Sequence, residues 1–579
     1  MLFEAAVEIA FARVAAAFEQ HAGCRTKQNV AVRAGVIPLI AVLLAILHVA
    51  LAVTATIDKS PTFDEPVHLT AGYSYWLRND FRFDPENGNL PARWAALPLV
   101  ASRPNFPAPD SFPWNRVLVG KSSQQFFYQL GNNPDDMLLK ARIMMSVFSG
   151  ALCLLIFFCA QRLFGPTGGL ISETVAVFDP TLLAHGALVT ADIPAAFFFT
   201  VAVWSFWRLL HYVSPCTLAF SVLSIAGLFL TKMSAPLFLF MAAILCAVRI
   251  FSRAPIEIQL AGFQQIIPGK IQKTVMVAAL VMTIGIAVVI AIWASFCFRF
   301  SALTENGPPR QMWDARWDLN LADHGVPEKI IAFARDHRLL PEAYLYGLAY
   351  VNERSQYRPA FLDNHWSNVG FVSFFPRAFF YKTPLPIFGL LAMTLLVAAV
   401  RWKRRLSDAA QSMWGIVGRD CMQLAPILTL VVVYGGFALV TKLNIGHRHL
   451  LPIYPSIFIA CGACAYFLRK RPLRIAGAMI VLFLAWQLID SWCIRPNYLA
   501  YFNQIAGGPE NGYKHLVDSS LDWGQDLPAL KTWLDERKDQ LSGNRVYLAY
   551  FGTADPAWYK IPATTLPENA EPLLPLRSG

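Results

Sequence analysis

Residues 34–68 read AGVIPLIAVLLAILHVALAVTATIDKSPTFDEPVH. The stretch 34–56 carries no Asp, Glu, Lys or Arg, and about twenty apolar residues are what an α-helix needs to cross a hydrocarbon core of about 30 Å. Just beyond it, within Pro61-Thr62-Phe63-Asp64-Glu65-Pro66-Val67-His68, two carboxylates stand side by side. An acid pair is thereby placed at the end of a membrane-length segment.

The whole chain fits that opening. Its 579 residues are 55% hydrophobic and only 15% charged, with a mean hydropathy of +0.42. So much apolar surface does not fit inside one soluble core, and the chain reads as a polytopic membrane protein. Windows of sufficient length predict about eleven spans. They lie near 34–56, 138–161, 167–189, 192–210, 217–231, 234–251, 274–297, 384–400, 424–441, 452–468 and 474–493. The third is interrupted by Glu173, Asp179-Pro180 and His185, and the fifth is short.

Lys and Arg give the orientation. Arg13, Arg25, Lys27 and Arg33 precede the first span, Arg249, Arg253, Lys270 and Lys273 flank a middle loop, and Arg401, Lys403, Arg404, Arg405 and Arg469-Lys470-Arg471 mark two later ones. With eleven spans and a cytoplasmic amino terminus, all of these clusters fall on one side, as cytoplasmic loops require. The net charge of +11 is then mostly topological, with membrane lipids as partners and no nucleic acid implied. Residues 1–22 alternate apolar and charged positions in the manner of a helix lying in the cytoplasmic interface. Most of the ten cysteines sit in or beside spans, so no disulfide scaffold is predicted, and Cys461-x-x-Cys464 has no other soft ligand near it.

The predicted fold class is an all-α polytopic membrane protein with a small extracytoplasmic α+β carboxy-terminal region. Its parts are a cytoplasmic amphipathic segment 1–33, a transmembrane domain 34–493 with long outer loops 57–137 and 298–383, and the extracytoplasmic region 494–579.

Asp64-Glu65 has a local explanation, since Thr62-x-x-Glu65 fits a capping box with Pro66 early in the following helix. It also has a chemical one: a partly desolvated carboxylate at the water–lipid boundary can accept a proton from an incoming hydroxyl or amine. His68, four residues after Asp64, shares its face on a helix.

These residues also carry a resemblance. Phe63-Asp64-Glu65-Pro66-Val67-His68, Gly72-Tyr73 and Asn89-Leu90-Pro91-Ala92-Arg93 resemble the first outer loop of polyprenyl-phosphate-dependent glycosyltransferases of the GT-C superfamily, in the family 39 group of protein O-mannosyltransferases and aminoarabinose transferases. Val189-Thr190-Ala191-Asp192-Ile193-Pro194, Thr231-Lys232, Tyr381-Lys382-Thr383-Pro384 and Gly446-His447-Arg448-His449 resemble later motifs of that group in the right order, over about residues 35–470. The His-Pro-Pro-Leu element of the protein O-mannosyltransferases is replaced by Gly88-Asn89-Leu90-Pro91, which loosens the link to a protein acceptor.

The resemblance implies a GT-C-like fold and an inverting sugar transfer, from a polyprenyl-phosphate-linked donor to an extracytoplasmic acceptor. The acceptor is a protein, a glycolipid or a polysaccharide. It implies Asp64 as general base, with Asp192 and Glu65 supporting the acceptor or a metal. Lys382, Arg448 and Lys232 are the candidate cations for the donor phosphate, whose growing negative charge fixed cations stabilise in the transition state. A divalent metal ion is the one candidate cofactor, with His68 and His447 as candidate ligands. Each has a plainer alternative: Asp192 as a helix cap, the lysines snorkelling to headgroups, the histidines each making one hydrogen bond. In the tail, Trp523 is a candidate for stacking on a sugar, and Asp518, Asp522 and Asp526 for a Ca²⁺ site or, lacking the glycine and alternating oxygens of a calcium loop, for a capped, solvated helix start. The expected location is a bacterial inner membrane, with the amino terminus cytoplasmic and the active site and carboxy terminus outside. The alternative from another class is a transporter or flippase of a polyprenyl-linked substrate, whose signature is ionisable residues deep in several spans and a repeated half; here the acids collect at the outer surface.

Overall fold

A computed structural model of the chain describes residues 27–260, 262–303, 313, 315–321, 325–356, 358–407, 413–468 and 474–566. The amphipathic reading of residues 1–22 lies outside them. Residues 1–43 and 44–579 form two compact units. Of the first, the structure describes the beginning of the helix Lys27–Thr54; the contacts described below lie within the second.

Among the described residues, Val36–Thr54, Pro134–Phe164, Lys270–Ser295, Met422–Val440, His447–Leu468 and Arg474–Ile494 are long and apolar enough to cross a membrane. The chain is an integral membrane protein. Phe374–Lys382 and Leu385–Arg401 make a seventh candidate, bent by 103° at Thr383-Pro384. The remaining predicted spans are also helical but shorter. Asp192–Leu209 holds an acid and a base in 18 residues, and Pro215–Phe229 and Leu237–Phe251 have 15 residues each. The third predicted span is not one helix: Pro166–Val177 ends before Asp179, whose carboxylate accepts the Leu182 N–H (2.9 Å) and starts the separate turn Pro180–His185. Proline has no N–H to continue the ladder, so a new helix begins there. The fold is therefore the expected helical one, but eleven full-length spans are not found among the described residues.

Two large apolar cores hold the bundle, one around Phe199, Phe206, Phe238 and Ile284, the other around Ile156, Val175, Leu390 and Phe458. The outer loop after the first span folds back as two packed helices, Glu65–Leu77 and Asn89–Ser102. They approach so closely that a β-carbon on Gly72 would lie 2.0 Å from the Ala92 carbonyl oxygen. The carboxy-terminal region has the expected helix, Leu527–Glu536, but its strands are only Tyr547–Leu548 and Thr564–Thr565, paired in parallel.

Candidate active site

The acid loop is held by its second acid. Glu65 is fully buried and accepts a two-pronged ion pair from Arg142, Nε to Oε1 at 3.0 Å and Nη2 to Oε2 at 2.6 Å. Backbone N–H groups of Thr62 (2.9 Å) and Val189 (3.0 Å) donate to the same carboxylate. Half of the expected capping box is thus present, because the Thr62 hydroxyl has no partner. Burial alone would push Glu65 up; the Arg142 guanidinium and the two N–H groups hold it below the usual carboxylate value. Arg142 also donates to the carbonyls of Thr56, Lys59 and Ser60. With every direction around it occupied, Glu65 acts as the anchor of the loop and offers no free oxygen to an acceptor.

Its neighbour faces a different set of groups. Asp64 Oδ2 accepts from Arg448 Nη1 at 2.8 Å, and the same nitrogen lies 3.4 Å from Asp192 Oδ2. Asp192 Oδ1 in turn accepts from Lys232 Nζ at 2.5 Å. Four residues far apart in sequence form one row of alternating charge: Asp64, Asp192 and Arg448 at the starts of Glu65–Leu77, Asp192–Leu209 and the 3₁₀ turn His447–Ile453, and Lys232 between Pro215–Phe229 and Leu237–Phe251. Asp64 is the most open of them, its side chain 25% exposed against 3% for Asp192, 11% for Arg448 and 17% for Lys232. Lys232 is fixed by its backbone, which bridges to Asn87, while Gly88 and Leu90 donate to the carbonyls of Thr231 and Leu230.

The remaining candidates lie elsewhere. Lys382 is buried and donates to the carbonyls of Leu499 and Ser520 at 2.7 Å each, which ties the carboxy-terminal region to the bundle; neither hydrogen bond goes to the charged row. His68 Nδ1 pairs with Asp84 Oδ2 at 2.9 Å, and Asn87 donates to the other Asp84 oxygen. Burial opposes charge on His68, but the Asp84 carboxylate outweighs it and raises the imidazole to about 9. His447 Nε2 meets the Tyr454 hydroxyl at 2.7 Å. The two histidines therefore have separate partners, and no group of three His, Cys, Asp or Glu fit for a metal ion occurs among the described residues. Between Asp64 and Asp192, where a divalent ion would bridge two acids, the Arg448 guanidinium supplies the positive charge, so these residues do not fit a metal.

Trp523 is buried, 1% exposed, with the Arg448 guanidinium 4.0 Å from its ring centroid. A sugar-stacking platform needs an open face, so that reading is corrected. In the tail, Asp526 pairs with Lys59 and Asp522 accepts the Gly524 N–H (2.9 Å). Arg142, Asp84 and the Trp523–Arg448 contact were missed in the sequence. Arg142 alone left a signal there, as a charge inside a span. A cavity of about 650 Å³ lies beside the loop, lined by Thr62, Arg142, Leu188, Tyr498 and Trp533 among others, and none of the four row residues lines it.

Residues 118–260 match the family model described as dolichyl-phosphate-mannose-protein mannosyltransferase. The matched segment holds Asp192 and Lys232, and over it the model agrees with the resemblance read from the motifs. No curated protein matches the chain. Among solved structures, ArnT from Cupriavidus metallidurans is similar at 11% identity in its apo state, with a TM-score of 0.43, and at 10% when bound to undecaprenyl phosphate, with a TM-score of 0.44; both alignments cover 91% of this chain and 86% of the other. The Archaeoglobus fulgidus oligosaccharyltransferase in its apo form is similar at 12% identity and a TM-score of 0.40, over 91% of this chain and 64% of the other.

Proposed function

We propose that this membrane protein is a glycosyltransferase that moves a sugar from a polyprenyl-phosphate-linked donor to an extracytoplasmic acceptor, with Asp64 as general base. The observation that carries the reading is the row Asp64, Arg448, Asp192, Lys232; the family match over residues 118–260 supports it. A guanidinium fork suits phosphate as well as it suits carboxylate. A donor phosphate entering the row competes with the two acids for Arg448 and Lys232, and Asp64, the most exposed of the four, is the acid that competition releases.

The acceptor oxygen then forms a bond to the anomeric carbon while the bond from that carbon to the phosphate oxygen breaks. The acceptor proton passes to Asp64, and the polyprenyl phosphate leaves with the added negative charge beside Arg448 and Lys232. Those cations meet more charge in the transition state than in the ground state, which is the condition for catalysis. One displacement inverts the anomeric centre. Asp192 keeps both cations in place; Glu65 and Lys382 hold the loop and the tail and touch no substrate. The acceptor is a protein, a glycolipid or a polysaccharide on the outer face of a bacterial inner membrane.

The test is sugar transfer by the purified chain in lipid nanodiscs, with labelled polyprenyl-phosphate sugars and an envelope extract as acceptor. Asp64→Asn is expected to lower the rate by about 10²- to 10⁴-fold, the usual worth of a general base. Transfer that survives the substitution removes Asp64 from that role. Lipid movement across the bilayer without transfer from any donor replaces the enzyme with a transporter.

A further inference from the structure

The carboxy-terminal region touches the charged row from two directions. Towards the acid loop, the Trp523 carbonyl accepts the N–H of Phe63, the residue before Asp64, at 2.9 Å, and the Gln525 carbonyl accepts the Ser60 N–H at 3.0 Å. The Ser60 hydroxyl donates to the Gly524 carbonyl at 3.1 Å. On the other side of Phe63, the Thr553 hydroxyl donates to its carbonyl at 2.7 Å, and Phe551 stacks on its ring at 5.0 Å. Both backbone polar groups of Phe63 are therefore held by the tail.

Towards the cation, the Ser520 hydroxyl accepts the N–H of His447, the residue before Arg448, at 2.9 Å. Ser519 fits so closely that a β-carbon on Gly446 would lie 2.1 Å from its hydroxyl oxygen. The indole of Trp523 lies under the guanidinium itself, and is packed in turn against Leu188, shortly before Asp192, and Leu499. A cation over a desolvated indole face is held more strongly than one at an exposed ring, and the packed indole allows Arg448 little room to swing.

We propose that residues 519–553 are a working part of the site, with Trp523 as a positioning residue that holds Arg448 where it reaches Asp64, Asp192 and the donor phosphate. This inference rests on the reading of Arg448 as a phosphate receptor. The acid loop and the Arg448 turn come from opposite ends of the transmembrane domain, and one short segment of tail is bonded to both, so the tail fixes the distance between base and cation.

The experiment is the affinity of the full chain in nanodiscs for undecaprenyl phosphate, titrated as radiolabelled lipid. Compared are wild type, Trp523→Phe, Trp523→Met, Arg448→Gln and the double variant Trp523→Met/Arg448→Gln, with thermal unfolding measured in parallel. Trp523→Met, which fills volume without a π face, is expected to weaken binding about tenfold, which is the effect of about 1.4 kcal/mol. Trp523→Phe keeps a face and is expected to lose about twofold. In the Arg448→Gln background Trp523→Met is expected to add nothing, an outcome that general loosening of the fold does not produce. Wild-type affinity in Trp523→Met, or an equal loss with and without Arg448, overturns the inference alone. No binding by wild type overturns the functional reading and the inference with it. If Trp523→Met does not fold, Ser520→Ala carries the test: it removes the acceptor of the His447 N–H and is expected to weaken binding severalfold in wild type and not in Arg448→Gln, the reverse pattern overturning the inference.

Discussion

Asp64 and Glu65 are adjacent in sequence and opposite in office, and the difference is set by what each side chain meets. Glu65 lies in a closed socket with Arg142. Removing one partner of a buried pair strands the other charge and costs about 3–5 kcal/mol. Glu65→Ala is therefore expected to lower the thermal midpoint in detergent sharply, while Asp64→Asn leaves it nearly unchanged and lowers the transfer rate by about 10²- to 10⁴-fold; a Glu65 variant of normal stability and no activity would return Glu65 to the chemistry. His68 gives a pH test. Its partner Asp84 raises it from 6.5 to about 9, so folding favours the charged imidazole. That contribution is fully present below 6.5 and is lost as pH rises through about 9. Thermal midpoints across this window are expected to fall for wild type and to fall less for His68→Gln; parallel curves would contradict the pairing. At this scale Asp64, Asp192, Lys232 and Arg448 were legible one by one from their motifs, and the structure brings the four into contact. The partners were not legible. Arg142 is 77 residues from Glu65, and the Lys382 acceptors are backbone carbonyls 117 and 138 residues away, which side-chain pattern does not encode.

The presence of a helix was easier to read than its ends. Asp179-Pro180 weakened the third predicted span, which was still drawn through it; the structure starts a new helix there, because a capping acid followed by a residue without an N–H begins one. Ends were misplaced where apolar sequence continues through unwound backbone: the fifth predicted span ran to 231 and the sixth began at 234, whereas the helices stop at Phe229 and resume at Leu237, and the stretch between carries Lys232 into the site. The packing of the loop helices Glu65–Leu77 and Asn89–Ser102 was not legible, since a glycine in a helix looks like a weakness until the facing backbone is known. With only 2.0 Å available to a β-carbon at Gly72, Gly72→Ala forces the two helices apart. Overpacking of this kind costs about 1–3 kcal/mol, and here the displaced helix begins at the base. Gly72→Ala is expected to lower both the thermal midpoint and the transfer rate. A variant with unchanged transfer would show that the start of Glu65–Leu77 tolerates movement of its body.

For the molecule as a whole, membrane sidedness was read from Lys and Arg, and contacts supply an independent check. Asp64 and Phe63 lie on the same side as the tail that bonds to them, so Cys493, at the end of Arg474–Ile494, is on that side too. Cys297 and Arg299 bond to Asn79 of the same loop, which places the end of Lys270–Ser295 there as well. Between Cys297 and Cys493 run the bent pair, Met422–Val440, His447–Leu468 and Arg474–Ile494. Two exposed cysteines on one side require an even number of crossings, so with the three full-length helices each crossing once the bent pair is expected to be the fourth crossing. Cys216 is separated from Cys297 by Pro215–Phe229, Leu237–Phe251 and Lys270–Ser295. Whether or not the first two cross, they do so as a pair, and the count stays odd. Cys216, Cys297 and Cys493 are all exposed, which makes the topology measurable with single-cysteine variants and a membrane-impermeant maleimide on right-side-out vesicles. Cys297 and Cys493 are expected to react and Cys216 to react only after permeabilisation. Labelling of Cys297 without Cys493 would make the bent pair re-entrant, separate the tail from the acid loop, and remove the contact on which the placement of Arg448 depends.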